Sequence, residues 1–193
     1  MKGTAGPLLH RFNRREYQEM LEHGLLDDDD PVELLDGLLL VKEPQQSLHR
    51  TAVVLVTRAV ERAFGDGWFV QVRSPIILDD RSEPEPDVCV VSGSPRDYVD
   101  AHPTRPGLIV EVAATGLAVA RGRKARAYAR AGVLDYWIVN LVDRVLEVHG
   151  EPARPGPARR AWGYAAIESL GAERTVSPLA APAARISVAD LLP

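Results

Sequence analysis

An α/β (α+β) fold with a central mixed sheet flanked by helices is what this sequence predicts, on three observations. Short apolar runs of strand length alternate with stretches of helical spacing, as where 107–112 is followed by 121–131. Turn chemistry separates them, notably Asp36-Gly37, Gly65-Asp66-Gly67 and Gly132. The composition, 46% apolar and 26% charged over 193 residues, suits a chain that buries a sizeable core. That length fits a single domain, 1–193: a helix over 13–24 as decoration, a core over about 31–150, and a strand and tail over 160–193.

The elements follow in chain order. Asn13 and Glu16 have capping-box spacing, so a helix should start there, bury Tyr17, Met20 and Leu21, and stop near Gly24. The acidic run Asp27 to Asp30 reads as a solvated loop. Two short strands over 32–41 should turn at Asp36-Gly37, a dipeptide that tolerates the positive φ of a tight hairpin. In 47–64, Ala52, Leu55, Val56, Ala59, Val60 and Ala63 recur on one helical face. Segments 68–72 and 76–78 are β-like, parted by Ser74-Pro75, and 87–91 is a strand entered from the stiff Glu83-Pro84-Glu85-Pro86. After the strand 107–112, a helix over 121–131 should turn Ala125, Tyr128 and Ala129 inward and end at Gly132. A rich apolar strand, 134–142, pairs with 145–149 across Val142-Asp143-Arg144. The stretch 151–160 is a loop, 162–167 a further strand, and Ser187 is placed to cap a last turn through Leu192.

Several chemistries are excluded. Cys89 is the only cysteine, so neither an internal disulfide nor a four-cysteine zinc site can form, and its mid-strand place marks it as core. The five histidines show no i, i+4 pair, and neither a phosphate-cradling glycine loop nor a G-x-S-x-G elbow occurs. Tyr136 and Trp137 read as strand core or interface and not as a base-stacking platform. No apolar run spans a bilayer and no leader pattern is visible, so a cytoplasmic location without membrane contact is expected. A net charge of −4, from 23 basic and 27 acidic residues, argues against indiscriminate coating of nucleic acid. It leaves room for a local basic face, and RGRKARAYAR over 121–130 carries five basic residues and no acid.

Asp87 and Glu111 each end a strand that otherwise reads as core. Such a carboxylate is either exposed at the sheet rim or buried with a partner. Two acids at one rim make a hard-oxygen site suited to Mg²⁺ or Mn²⁺, with the Val112 carbonyl a natural further ligand. Lys124, 13 residues after Glu111, reaches them if its helix packs back on the sheet, where an ammonium can orient water or neutralise phosphate charge. The bland alternative is that two strands happen to end in acids.

These residues stand in text that resembles a known family. Val32-Glu33-Leu34-Leu35-Asp36-Gly37, Glu83-Pro84-Glu85-Pro86-Asp87-Val88 and Leu108-Ile109-Val110-Glu111-Val112 come first. Arg121-Gly122-Arg123-Lys124, Tyr128-Ala129-Arg130-Ala131-Gly132-Val133 and Asp135-Tyr136-Trp137-Ile138-Val139-Asn140 follow, in order and with family-like spacing. The chain is similar to the Uma family of restriction-endonuclease-like proteins, within the PD-(D/E)XK nuclease fold, from about Phe12 to the C-terminus. The resemblance implies a Mg²⁺- or Mn²⁺-dependent endonuclease acting on DNA, with Asp87 and Glu111 as metal ligands and Lys124 completing the catalytic set. Glu33 matches a further acid near that site, to extend the metal site or hold a water; a surface charge at the sheet edge is the other reading. His49 could approach the same pocket or simply pack on its helix. Arg121, Arg123 and Arg126 are the expected phosphate contacts, and a homodimer, with the strand from Leu134 near its interface, is compatible with cutting two strands.

The departures point another way. The lysine usually two residues after the second acid is absent, since Ala113 stands there, and Lys124 takes its role from the helix. Ala113, Ala114 and Ala120 replace polar or acidic residues, and Val119 replaces an aromatic. Losing such supporting groups typically costs about ten- to a hundredfold in affinity or activity. A catalytically weakened or inactive binding or dimerisation module is therefore the rival expectation.

Overall fold

Asn13 does what its spacing predicts. Its side chain accepts from the Glu16 N–H at 2.9 Å, and Glu16 returns a bond to the Asn13 N–H at 2.8 Å. This opens α1 (Arg14–Glu22), which buries Tyr17 and leaves Met20 and Leu21 half-buried. The computed structural model describes residues 9–27, 29–42, 46–156 and 161–193. The leader reading over the first eight residues, Asp28 of the acidic run and 157–160 of the expected loop therefore lie outside the described residues.

The hairpin β1 (Val32–Leu35) and β2 (Leu38–Val41) turns at Asp36 and Gly37, with φ of 54° and 74°, the pattern of a tight hairpin turn. It forms its own two-stranded sheet. A single bridge from Leu34 to Glu83, with the Glu83 N–H on the Leu34 carbonyl at 2.8 Å, ties it to the segment that leads into Asp87.

The central sheet has six strands in the order β3 (Trp68–Val72), β4 (Val88–Ser92), β5 (Pro106–Ala113), β6 (Asp135–Asn140), β7 (Val145–Ala153) and β8 (Gly163–Leu170). Every pairing is antiparallel except β5 with β6. A parallel pair needs a crossover. Here it holds α3 (Leu117–Val119), a π-turn (Ala120–Lys124) and α4 (Ala125–Arg130). Alternation along the strands splits the core in two. Val88, Val90, Leu108, Val110, Trp137 and Val139 pack under α2 (Ser47–Phe64) and the C-terminal 3₁₀ turn Val188–Leu191. Cys89, Val91, Ile109, Tyr136 and Ile138 pack against Ala125, Tyr128 and Ala129 on the other face. With both faces covered, β4 to β6 read as continuous apolar runs. A two-stranded piece, β9 (Thr175–Val176) with β10 (Ile186–Ser187), completes the strands among the described residues.

Some expectations need correction. Segment 76–78 is not a strand. Its three N–H groups go to the carbonyls of Pro84, Pro103 and Ser82, on different segments, so no ladder can form. The helix expected over 121–131 begins earlier, at Leu117, and is interrupted by the π-turn. The strand expected over 134–142 is shorter: β6 covers Asp135–Asn140 and lies buried between β5 and β7. The first residues of the expected 151–160 loop extend β7, where Pro152 and Ala153 face Tyr164 and Gly163. Ser187 stands before the last turn but makes no side-chain cap bond.

The hairpin turn gives a stability test. A Cβ on Gly37 would lie 2.9 Å from Arg11 Cβ and 3.0 Å from the Phe12 carbonyl, at positive φ. We expect Gly37→Ala to lose about 1–3 kcal/mol, read as a lower urea midpoint with an unchanged slope. Gly132→Ala, with φ +79° but open space around it, should lose less.

Candidate active site

Antiparallel pairing of β4 with β5 sets the start of one strand beside the end of the other. Asp87, the residue before β4, therefore stands next to Glu111 and Val112. The Val112 N–H, which has no β4 residue opposite to bond, donates to Asp87 Oδ2 at 2.9 Å. Glu111 lies between Val110 and Val112, so alternation turns it to the face covered by the crossover helix. There Lys124 Nζ donates to Glu111 Oε1 at 2.9 Å, and the Tyr128 hydroxyl donates to the same oxygen at 2.7 Å. Lys124 Nζ also lies 3.1 Å from Glu33 Oε1, while Glu33 Oε2 accepts from the Glu85 N–H at 2.9 Å.

Asp87, Glu111, Lys124 and Glu33 thus come together, each between 3% and 8% exposed. They line one cavity of about 190 Å³. Glu33 is spent on Lys124 and on the chain before Asp87, so it acts as an anchor for the amine. Ala113, Ala114, Val119 and Ala120 form an apolar wall of the same cavity.

The electrostatics follow from burial and like charge. Burial pushes the Glu111 carboxyl up to about 7; Lys124 opposes the shift, and the carboxylates of Asp87 and Glu33 add to it. Burial works to lower Lys124, but Glu111, Glu33 and Asp87 outweigh it and hold the amine charged above the ordinary lysine range. Tyr128 is raised by burial first and by the Glu111 and Glu33 carboxylates next, which keeps it a donor.

Two further side chains reach the site. His49, from the first turns of α2, places Nε2 3.2 Å from Asp87 Oδ2. Burial would lower its pKa, but the Asp87 carboxylate and the Val112 backbone raise it overall. His49 Nδ1 is buried with no hydrogen-bond partner among the described residues. Lys42, at the end of the hairpin, pairs with Glu85 at 2.6 Å on the cavity rim. Sequence reasoning took Tyr128 for core; its i, i+4 relation to Lys124 was the available signal. It weighed His49 mainly as packing and gave Lys42 no role.

None of Arg121, Arg123 and Arg126 lines the cavity. Arg121 grips Glu147 through Nε at 2.9 Å and Nη2 at 2.6 Å. Arg123 faces a separate recess with Arg81, Arg130 and Asp79, and Arg126 is exposed.

Among the described residues no three acidic, histidine or cysteine side chains close on one point. A cage built wholly from the protein is thus not offered. Two carboxylates and a backbone carbonyl, all hard oxygen donors, do fit a Mg²⁺ or Mn²⁺ ion that keeps most of its water. Among the described residues, no helix is long and apolar enough to cross a membrane.

A mixed sheet carrying two acids at adjacent strand ends, with a lysine returned to them by the crossover helix, belongs to the nuclease-type α+β folds. The chain belongs to the Uma2 family, described as "Putative restriction endonuclease", whose family model matches residues 14–189. Its fold is similar to the crystal structure of "a putative nuclease belonging to DUF820" from Anabaena variabilis ATCC 29413. The TM-score is 0.71 at 13% identity, over 93% of this chain and 97% of the other. No curated protein matches it.

The shifted Glu111 gives a pH test. Its folded value of about 7 lies above the unfolded glutamate value of about 4.3. The folded state therefore binds the proton more tightly. The resulting stabilisation is full below about pH 4 and is withdrawn as pH rises through about 7. Wild type should lose stability between about pH 5 and 8 relative to Glu111→Gln, measured by urea denaturation at each pH; parallel profiles would refute the shift.

Proposed function

We propose that the protein is a metal-dependent endonuclease hydrolysing phosphodiester bonds in DNA. The observation that carries this reading is the contact of Lys124 with Glu111 at 2.9 Å, beside Asp87, in an open cavity. Asp87 and Glu111 would hold a Mg²⁺ or Mn²⁺ ion, with the Val112 carbonyl and water as further ligands, and the bound ion supplies charge neutralisation and a more acidic water.

The chain's own groups do the rest. Lys124 is held charged between Glu111 and Glu33, where its ammonium can orient an attacking water and offset charge developing on the phosphate. Two donors, the Val112 N–H and His49, fix Asp87 Oδ2, and Tyr128 fixes Glu111 Oε1. Such fixed partners hold ligand carboxylates in one orientation and spare reorganisation during the reaction. Arg126, exposed on the crossover helix, and Arg123 nearby are suited to a salt-sensitive attraction for the DNA backbone.

A second reading is a binding module of this fold that has lost turnover. Ala113, Ala114 and Ala120 favour it, since they put no polar group into the cavity's apolar wall.

Titrating Mn²⁺ calorimetrically into wild type should give a binding heat that Asp87→Ala lacks. Equal heats, or none in either, would remove the metal from the reading. Wild type should also nick supercoiled plasmid with Mg²⁺ at least about a hundredfold faster than Lys124→Ala. Indistinguishable nicking rates would take Lys124 out of the mechanism, and metal binding without any nicking would select the second reading.

A further inference from the structure

The cavity carries four acids, Glu33, Glu85, Asp87 and Glu111, against three basic side chains, Lys42, Arg73 and Lys124, with His49 besides. A phosphate backbone entering it meets no excess of positive charge before a divalent ion is bound. A cation at the mouth must therefore receive the strand, and most of the candidates are already engaged. Lys124 is held by Glu111 and Glu33, Lys42 by Glu85, and His49 by Asp87. Of the crossover arginines, which lie outside the cavity, Arg121 is held by Glu147.

Arg73 is different. It is exposed, it lines the cavity, and among the described residues no carboxylate forms an ion pair with it. Its backbone lies at φ 50°, in the left-handed region where glycine would be unstrained. The Arg73 N–H is shared between the carbonyls of Pro86 at 3.1 Å and Asp87 at 3.2 Å. That corner fixes the arginine to the same backbone that presents the Asp87 carboxylate. A strained position carrying a long cation, braced on a site residue, has a side-chain reason for not being glycine. A guanidinium also suits the bidentate binding of a phosphate.

Resting on the endonuclease reading above, we propose that Arg73 binds a backbone phosphate of duplex DNA at the mouth of the cavity, next to the scissile position. It is a substrate-binding residue and takes no proton. The geometry separates it from the arginines of the crossover helix, which lie outside the cavity.

The test uses the full chain with Ca²⁺, a hard-oxygen cation, and a fluorescent duplex oligonucleotide followed by anisotropy over a range of salt concentrations. Arg73→Gly should melt at or above the wild-type temperature, because it removes the left-handed strain, yet bind the duplex about tenfold more weakly. Its log–log salt slope should be shallower by about one, the signature of one lost phosphate contact. Arg73→Lys, which keeps the charge and loses the bidentate fork, should recover the slope and part of the affinity. Wild-type affinity and slope in Arg73→Gly would overturn the inference and leave the endonuclease reading standing. Absence of duplex binding by wild type itself would overturn both.

Discussion

One buried ammonium holds the candidate site of this molecule together. Lys124 Nζ lies 2.9 Å from Glu111 and 3.1 Å from Glu33, and these belong to different sheets. A charge with so little exposure is tolerable only if it is paired and hydrogen-bonded, and the same holds for each carboxylate. The three groups therefore require one another: the central sheet supplies one acid, the small hairpin the other, and the crossover the amine. Glu33 passes the constraint on through the Glu85 N–H, which steadies the chain just before Asp87.

The topology explains why the lysine stands so far along the chain from the acid it serves. A parallel β5–β6 pair obliges the chain to travel back over the sheet before β6 can begin. The helical segment that makes this return crosses the face to which Glu111 points. Where a lysine two residues after the acid would share the strand's own face, this fold uses the crossover, and Ala113 is then free to be small. Tyr128, one turn beyond Lys124, uses the same passage to reach the same carboxylate oxygen.

Much of this was legible in the sequence where local chemistry and burial agree. Asp36-Gly37 fixed the hairpin, Asn13 and Glu16 the first helix, and the apolar face of 47–64 the second. Asp87, Glu111 and Lys124 stood out because ionisable groups at the ends of core strands need an explanation. Segment 76–78 misled because its isoleucines are β-formers, while its backbone bonds go to segments no local pattern can name. Arg121 read as free because Glu147, its partner, lies 26 residues away on a strand whose register is a tertiary fact. His49 and Tyr128 hid in apolar helix faces: periodicity reports that a side chain is inward, not what it meets there.

The π-turn at Ala120–Lys124 carries one residue more than an unbroken helix would use. Each residue of an α-helix advances the side chains by about 100° around the axis. A chain of the same length that wound this stretch as an unbroken α-helix would still possess the lysine, yet aim it about a quarter-turn aside. The way the backbone winds here, rather than the mere presence of a basic residue, would then decide which sequences of this shape can assemble the same pair.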